Sequence, residues 1–196
     1  NASFKKDELR LDKIPLKKIL EAVFFVATEP VSIEKIKSLF SEGIVPTEGM
    51  IRQAVDALKL DYEGRSVIIR ESYSGFKFTI CETMSPYVFK MAPEKKIRCT
   101  KAMIETLATI AYEQPVTRGD IESVRGVSSG TNTMRALEEL DWIRVAGFRE
   151  VPGRPALYVT TNQFLDDFGL RCIEDLPESQ FCLTNPLKDL FSDESI

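Results

Sequence analysis

The chain has 196 residues, with 26 lysines and arginines against 30 aspartates and glutamates, no histidine, and a formal net charge of −4. With 43% hydrophobic and 29% charged residues, it has the make-up of a soluble globular protein long enough for one or two small domains. The missing histidine removes the commonest general base and metal ligand, and the acidic balance argues against a surface built to hold nucleic acid.

Asn1-Ala2-Ser3, without an initiating Met, reads as a cleavage scar, and residues 1–15 as an N-terminal extension. From Leu16 an apolar helix carrying Ile19, Phe24, Phe25 and Val26 is predicted, broken by Glu29-Pro30-Val31. Ser32 then caps a short second helix containing Ile36. After Thr47 a longer helix places Met50, Ile51, Ala54, Val55 and Leu58 at helical spacing and ends near Gly64. Residues 67–70 and 76–80 are strand-like and flank Ser72-Tyr73-Ser74-Gly75, a hairpin turn. Residues 16–82 therefore read as a first domain. Residues 83–100 read as a linker, because Ser85-Pro86, Pro93 and Lys95-Lys96 interrupt its short apolar segment.

Residues 101–176 read as a second domain. Met103, Ile104, Leu107, Ala108, Ile110 and Ala111 give a buried first helix, which Gln114-Pro115-Val116 breaks. Thr117 with Asp120 three residues on is a weak capping box for a second helix, closed by Gly126. Ser128 or Ser129 is expected to cap a third helix carrying Met134, Leu137 and Leu140. Residues 142–146 and 156–161 are strand-like, and Val151-Pro152-Gly153-Arg154-Pro155 between them turns. Helix–helix–helix–hairpin is the order of a winged helix. The first domain repeats it at an offset of 85 residues, placing Glu29-Pro30-Val31-Ser32 on Gln114-Pro115-Val116-Thr117, and Ile19, Phe25 and Val26 on Ile104, Ile110 and Ala111. The fold class is thus α+β, mostly helical, with two tandem winged-helix domains. Residues 177–196 read as a loosely attached tail.

Catalysis finds little support. No G-x-x-x-x-G-K phosphate loop and no G-x-S-x-G nucleophile turn is present, and Gly126-Val127-Ser128-Ser129-Gly130 is better read as a helix stop and start. Asp166-Asp167, Glu138-Glu139 and Glu174-Asp175 are neighbours that point apart on a helix. Cys81, Cys99, Cys172 and Cys182 lack metal-ligand spacing and suit reduced thiols in the cytosol. The expectation is a protein that is not an enzyme and uses no cofactor or metal. No signal peptide or membrane-spanning run is read.

Winged helices commonly bind DNA, which requires basic recognition helices. The second-domain candidate, 128–140, offers Arg135 against Glu138 and Glu139. Its first-domain equivalent, 47–62, offers Arg52 and Lys59 against Glu48, Asp56 and Asp61. Only Arg144, Arg149 and Arg154, around the second wing, favour DNA. A winged-helix transcriptional regulator is therefore the alternative reading.

Ala111-Tyr112-Glu113-Gln114-Pro115-Val116-Thr117-Arg118, then Glu122, then Arg125-Gly126-Val127, resemble the signature of the bacterial segregation and condensation protein B family. So do the run from Gly147 through Val151-Pro152-Gly153-Arg154-Pro155 to Thr161, and Phe164-Leu165, Phe168-Gly169-Leu170 and Leu176-Pro177. One departure is the polar Ser129-Gly130-Thr131-Asn132-Thr133, unusual at the start of a third helix. The resemblance implies a homodimer that binds a kleisin subunit of the segregation and condensation protein A type. Through that subunit it would join an SMC ATPase in chromosome condensation and segregation, in the cytoplasm at the nucleoid, with DNA association mainly through the complex. Tyr112, Arg149, Arg154 and Tyr158 are the expected partner-binding residues, since Arg and Tyr are frequent interface anchors. Phe24 and Phe25 are the expected dimer contacts.

Overall fold

Among the described residues, five helices begin where a hydroxyl side chain accepts the backbone N–H three residues on, at Ser32, Thr47, Thr100, Thr117 and Thr161. These caps punctuate a computed structural model that describes residues 14–41, 44–91, 99–128 and 130–177. The chain divides into two units, 1–92 and 93–196.

In the first unit, α1 (Leu16–Val26), α2 (Ile33–Lys37) and α3 (Glu48–Asp61) precede the hairpin β1 (Val67–Ser72) and β2 (Gly75–Ile80). The strands pair antiparallel from Val67 opposite Ile80 to Ser72 opposite Gly75. Leu20, Phe24, Ile36, Ile51, Val55, Leu58 and Phe76 form its core. Val31, between α1 and α2, bridges to Phe76 and extends the hairpin by one residue. That approach dictates Gly75. Its φ is +133°, and a Cβ there would stand 2.2 Å from the Val31 carbonyl oxygen. After the hairpin, a 3-10 turn leads into α4 (Ser85–Met91), so part of the expected linker is helical. Pro86 does not prevent this, because it sits in the first turn, where its missing N–H has no helical partner to lose.

In the second unit, α5 (Lys101–Glu113), β3 (Val116–Thr117), α6 (Arg118–Arg125) and α7 (Thr131–Glu139) lead to β4 (Ile143–Phe148) and β5 (Ala156–Thr160), followed by α8 (Asn162–Phe168). The sheet order is β3-β5-β4, all antiparallel, with a bulge in β4 between Val145 and Gly147. Met103, Leu107, Ile110, Ile121, Leu137, Trp142, Ile143 and Phe164 lie in its core. The third helix starts later than predicted. Its N-cap is Gly130, without a side-chain bond, and Ser128 instead donates to Glu122. Ser129 lies outside the described residues, as does the tail beyond Pro177.

Both units are winged helices. Val31 and Val116 each pair with the second strand of their hairpin, Ser32 and Thr117 each cap the next helix, and Ile36 and Ile121 are fully buried. The repeat slips in the first helix. Phe25 and Val26 are 82% and 79% exposed, whereas Ile110 and Ala111 are buried. The buried Leu20 and Phe24 match the buried Thr106 and Ile110, one residue further along than the constant offset puts them.

Candidate partner-binding site

The first turn of α6 organises the second unit's surface. Thr117 and Asp120 form a full capping box: the Thr117 hydroxyl accepts the Asp120 N–H, and the Asp120 carboxylate accepts the Thr117 N–H at 2.8 Å. The same carboxylate receives a two-pronged bond from Arg149 at the end of the wing strand, at 3.0 Å and 2.7 Å. The Arg149 guanidinium, with help from the Thr117 donors, holds the Asp120 carboxyl at about 2. Arg149 therefore fastens the wing to α6, a structural bond that its reading as a partner contact did not include. Arg118, next to the cap, bonds Glu122 and reaches Thr131 at the start of α7.

Tyr158 lies in the central strand β5, opposite Val116 on one side and Val145 on the other. It packs against the core, and burial, reinforced by Glu138, pushes its phenol up from the ordinary value. Arg149 and Tyr158 are thus brought to one region beside α6. Arg154 is not part of it. It sits at the tip of the wing, 70% exposed, paired to Glu150 at 3.2 Å. The turn there closes from the Arg154 N–H to the Val151 carbonyl, with Gly153 at φ +87° after Pro152, and Arg154 itself has φ +39°. Tyr112 is engaged elsewhere, its hydroxyl donating to the Pro177 carbonyl at 2.5 Å.

The first-unit pair separates as sharply. Phe24, one of the two expected dimer contacts, is 1% exposed and lies in the core against the rings of Phe76 and Phe78. Phe25 and Val26 remain on the surface.

Sequence reasoning passed over Asp120 as a partner of Arg149, and quoted Arg125 within the family signature without giving it a role. Arg125 has 8% side-chain exposure and bonds Thr106 and Glu105 on α5 at 3.0 Å and 2.9 Å. Its signal was its place beside the helix-closing Gly126, where a basic residue suits the helix dipole. The recognition helices bring no free guanidinium forward. Arg52 is held by Glu48 and Glu71, and Arg135 by Glu139. Among the described residues no group of three or more acidic, cysteine or histidine side chains could hold a metal ion, and no helix is long and apolar enough to cross a membrane.

The family model described as segregation and condensation complex subunit ScpB matches residues 18–179. A segregation and condensation protein B homolog of Coxiella burnetii is 37% identical over 186 residues, covering 95% of this chain and 85% of that protein. A segregation and condensation protein B of Syntrophotalea carbinolica is 35% identical, covering 85% of this chain and 83% of its own length. Among solved structures, ScpB from Mycobacterium tuberculosis aligns at a TM-score of 0.37 and 28% identity, covering 79% of this chain and 95% of that one.

Proposed function

Because this chain belongs to the family of segregation and condensation complex subunit ScpB, we propose that it is a non-catalytic, dimeric subunit that binds a kleisin of the segregation and condensation protein A type. Through that kleisin it joins an SMC ATPase at the nucleoid in the cytoplasm and serves chromosome condensation and segregation. The observation that carries this reading is a family match that runs through both winged-helix units, residues 18–179.

The geometry supports a protein-binding rather than a DNA-reading use of the fold. A duplex reader needs lysines or arginines free to meet phosphates. Here the recognition-helix arginines are neutralised within their own helices, by Glu48 for Arg52 and Glu139 for Arg135. What the second unit offers instead is a wing fixed in place by Arg149 and Asp120, with Arg154 exposed at its tip and Tyr158 half-buried in its sheet. Tyr112 contributes indirectly by holding Pro177. For self-association, the exposed Phe25 and Val26 at the end of α1 supply an apolar contact of the kind that closes a two-fold pair.

The test is to mix the purified chain with the kleisin subunit of the same bacterium and to follow co-elution and mass by light scattering. A complex containing the dimer is expected at micromolar concentrations. Failure of the two to associate, or a nanomolar footprint of the chain alone on a defined duplex, would overturn the assignment.

A further inference from the structure

One edge of the second unit's sheet carries distinctive residues. With the order β3-β5-β4, β4 is an edge strand. The direction of its backbone groups follows from its neighbours. The Thr161 N–H donates to the Trp142 carbonyl and the Arg149 N–H to the Pro155 carbonyl, so Trp142 and Arg149 point inward. The Thr160 N–H, opposite Ile143, turns away to the Gln114 side chain at 2.7 Å. Antiparallel pairs alternate between bonded and non-bonded. Ile143, Val145 and Phe148 therefore direct their N–H and C=O groups outward, and no bond from another element reaches them among the described residues.

The side chains along this edge are equally open. Val145 and Phe148 lie opposite Tyr158 and Ala156, two residues apart on β5, so they share a face, and they are 41% and 56% exposed. Arg144, opposite Val159, is on the other face and exposed. Among the described residues, every other arginine has a carboxylate or a ring as partner, as with Arg149 and Asp120 or Arg65 over Tyr62; Arg144 has neither. The corresponding edge of the first unit differs. On β1, Arg70 is tied to Glu82, and Glu71 to Arg52 and Lys59.

We propose that β4 captures an extended segment of a partner protein as a fourth strand, with an acidic residue facing Arg144 and apolar residues beside Val145 and Phe148. Main-chain bonds then supply affinity and the alternating side chains supply selectivity. The bulge between Val145 and Gly147 divides the ladder, so the segment pairs at Ile143–Val145 and again at Phe148. A second copy is a poor occupant, because pairing β4 with itself puts two uncompensated Arg144 guanidiniums on one short ladder. This inference rests on the subunit reading and places the segment in the kleisin-type partner.

The experiment uses the full chain and that partner, with Val145→Pro and Arg144→Glu as variants. Proline is tolerated on an edge strand where its missing N–H faces out, so V145P deletes the docking bond and keeps the sheet. The expected result is affinity about tenfold weaker or worse for each variant, with the melting temperature unchanged. Amide exchange at Val145 and Phe148 should also be slowed in the wild-type complex. Should V145P unfold, R144E and the exchange measurement decide alone. Wild-type binding with both variants within twofold, or with exchange slowed only elsewhere, overturns the edge and leaves the subunit reading standing. Protection already present in the free chain, lost on dilution or on removal of residues 178–196, assigns the edge to a second copy or the chain's own tail and overturns the proposal. No binding by the wild type overturns the subunit reading, and this inference with it.

Discussion

Asp120 is one carboxylate serving two elements, since it completes the cap of α6 and anchors Arg149 of the wing. Its pKa of about 2 lies below the unfolded value of about 4, so its contribution is full above about pH 4 and fades as pH falls towards 2. The pair is more than a third exposed, which trims the effect to about 1 kcal/mol. Asp120→Asn should therefore lower the urea midpoint at pH 7 and converge with wild type near pH 2, and parallel curves at both pH values would contradict this account. Arg154 presents the opposite case. Its φ of +39° costs an L-residue about 1 kcal/mol, and its bond to Glu150 is an exposed ion pair that returns little. Arg154→Gly should raise stability by about 0.5 kcal/mol while weakening the kleisin-type partner, as measured by melting and titration of one preparation. Lost stability would mean that Arg154 braces the hairpin.

At the scale of elements, the hairpin of the first unit depends on one close backbone approach. Gly75→Ala places a methyl carbon 2.2 Å from the Val31 carbonyl oxygen at a φ that side chains rarely adopt. The Val31 bridge must give way, and a loss of about 3 kcal/mol is expected, read as a lower far-UV circular dichroism midpoint. A neutral result would mean that the bridge to Phe76 carries no weight. Features set by neighbouring residues were legible in the sequence: Ser32 and Thr117 as caps, Gly126 as a stop, Pro152-Gly153 as a turn. Features set by distant pairing were not. Strand β3 has only two residues and exists through Tyr158 and Leu157, some forty positions away. Helix α4 hid behind Pro86, a breaker everywhere except in a first turn. The start of α7 fell in a Gly-Thr-Asn run of weak helical preference, where a hydroxyl cap at Ser128 or Ser129 looked the better choice. At the site, Arg149 and Tyr158 were legible as residue types, but the bond from Arg149 to Asp120 spans 29 positions and joins a residue whose capping role already explained it.

For the whole molecule, the adjacent Phe24 and Phe25 separate folding from assembly. Neighbours on a helix face directions about 100° apart, and the buried stripe of α1, which holds Leu20, includes only one of them. Phe24 is the one inside, touching the rings of Phe76 and Phe78, while Phe25 and Val26 stay outside. Phe24→Ala empties a core position and should cost about 3–5 kcal/mol. Phe25→Glu, at a side chain 82% exposed, should leave the melting temperature of the unassociated chain nearly unchanged. In the two-fold pair proposed above, however, each Phe25 would lie in a patch that meets its own copy, so the substitution would set two carboxylates into one apolar contact. The expected outcome by light scattering at tens of micromolar, a range in which an obligate pair stays closed, is a dimer for wild type and a folded monomer for F25E. A dimeric F25E would move the two-fold contact away from the end of α1, and a wild-type monomer would remove the pair altogether.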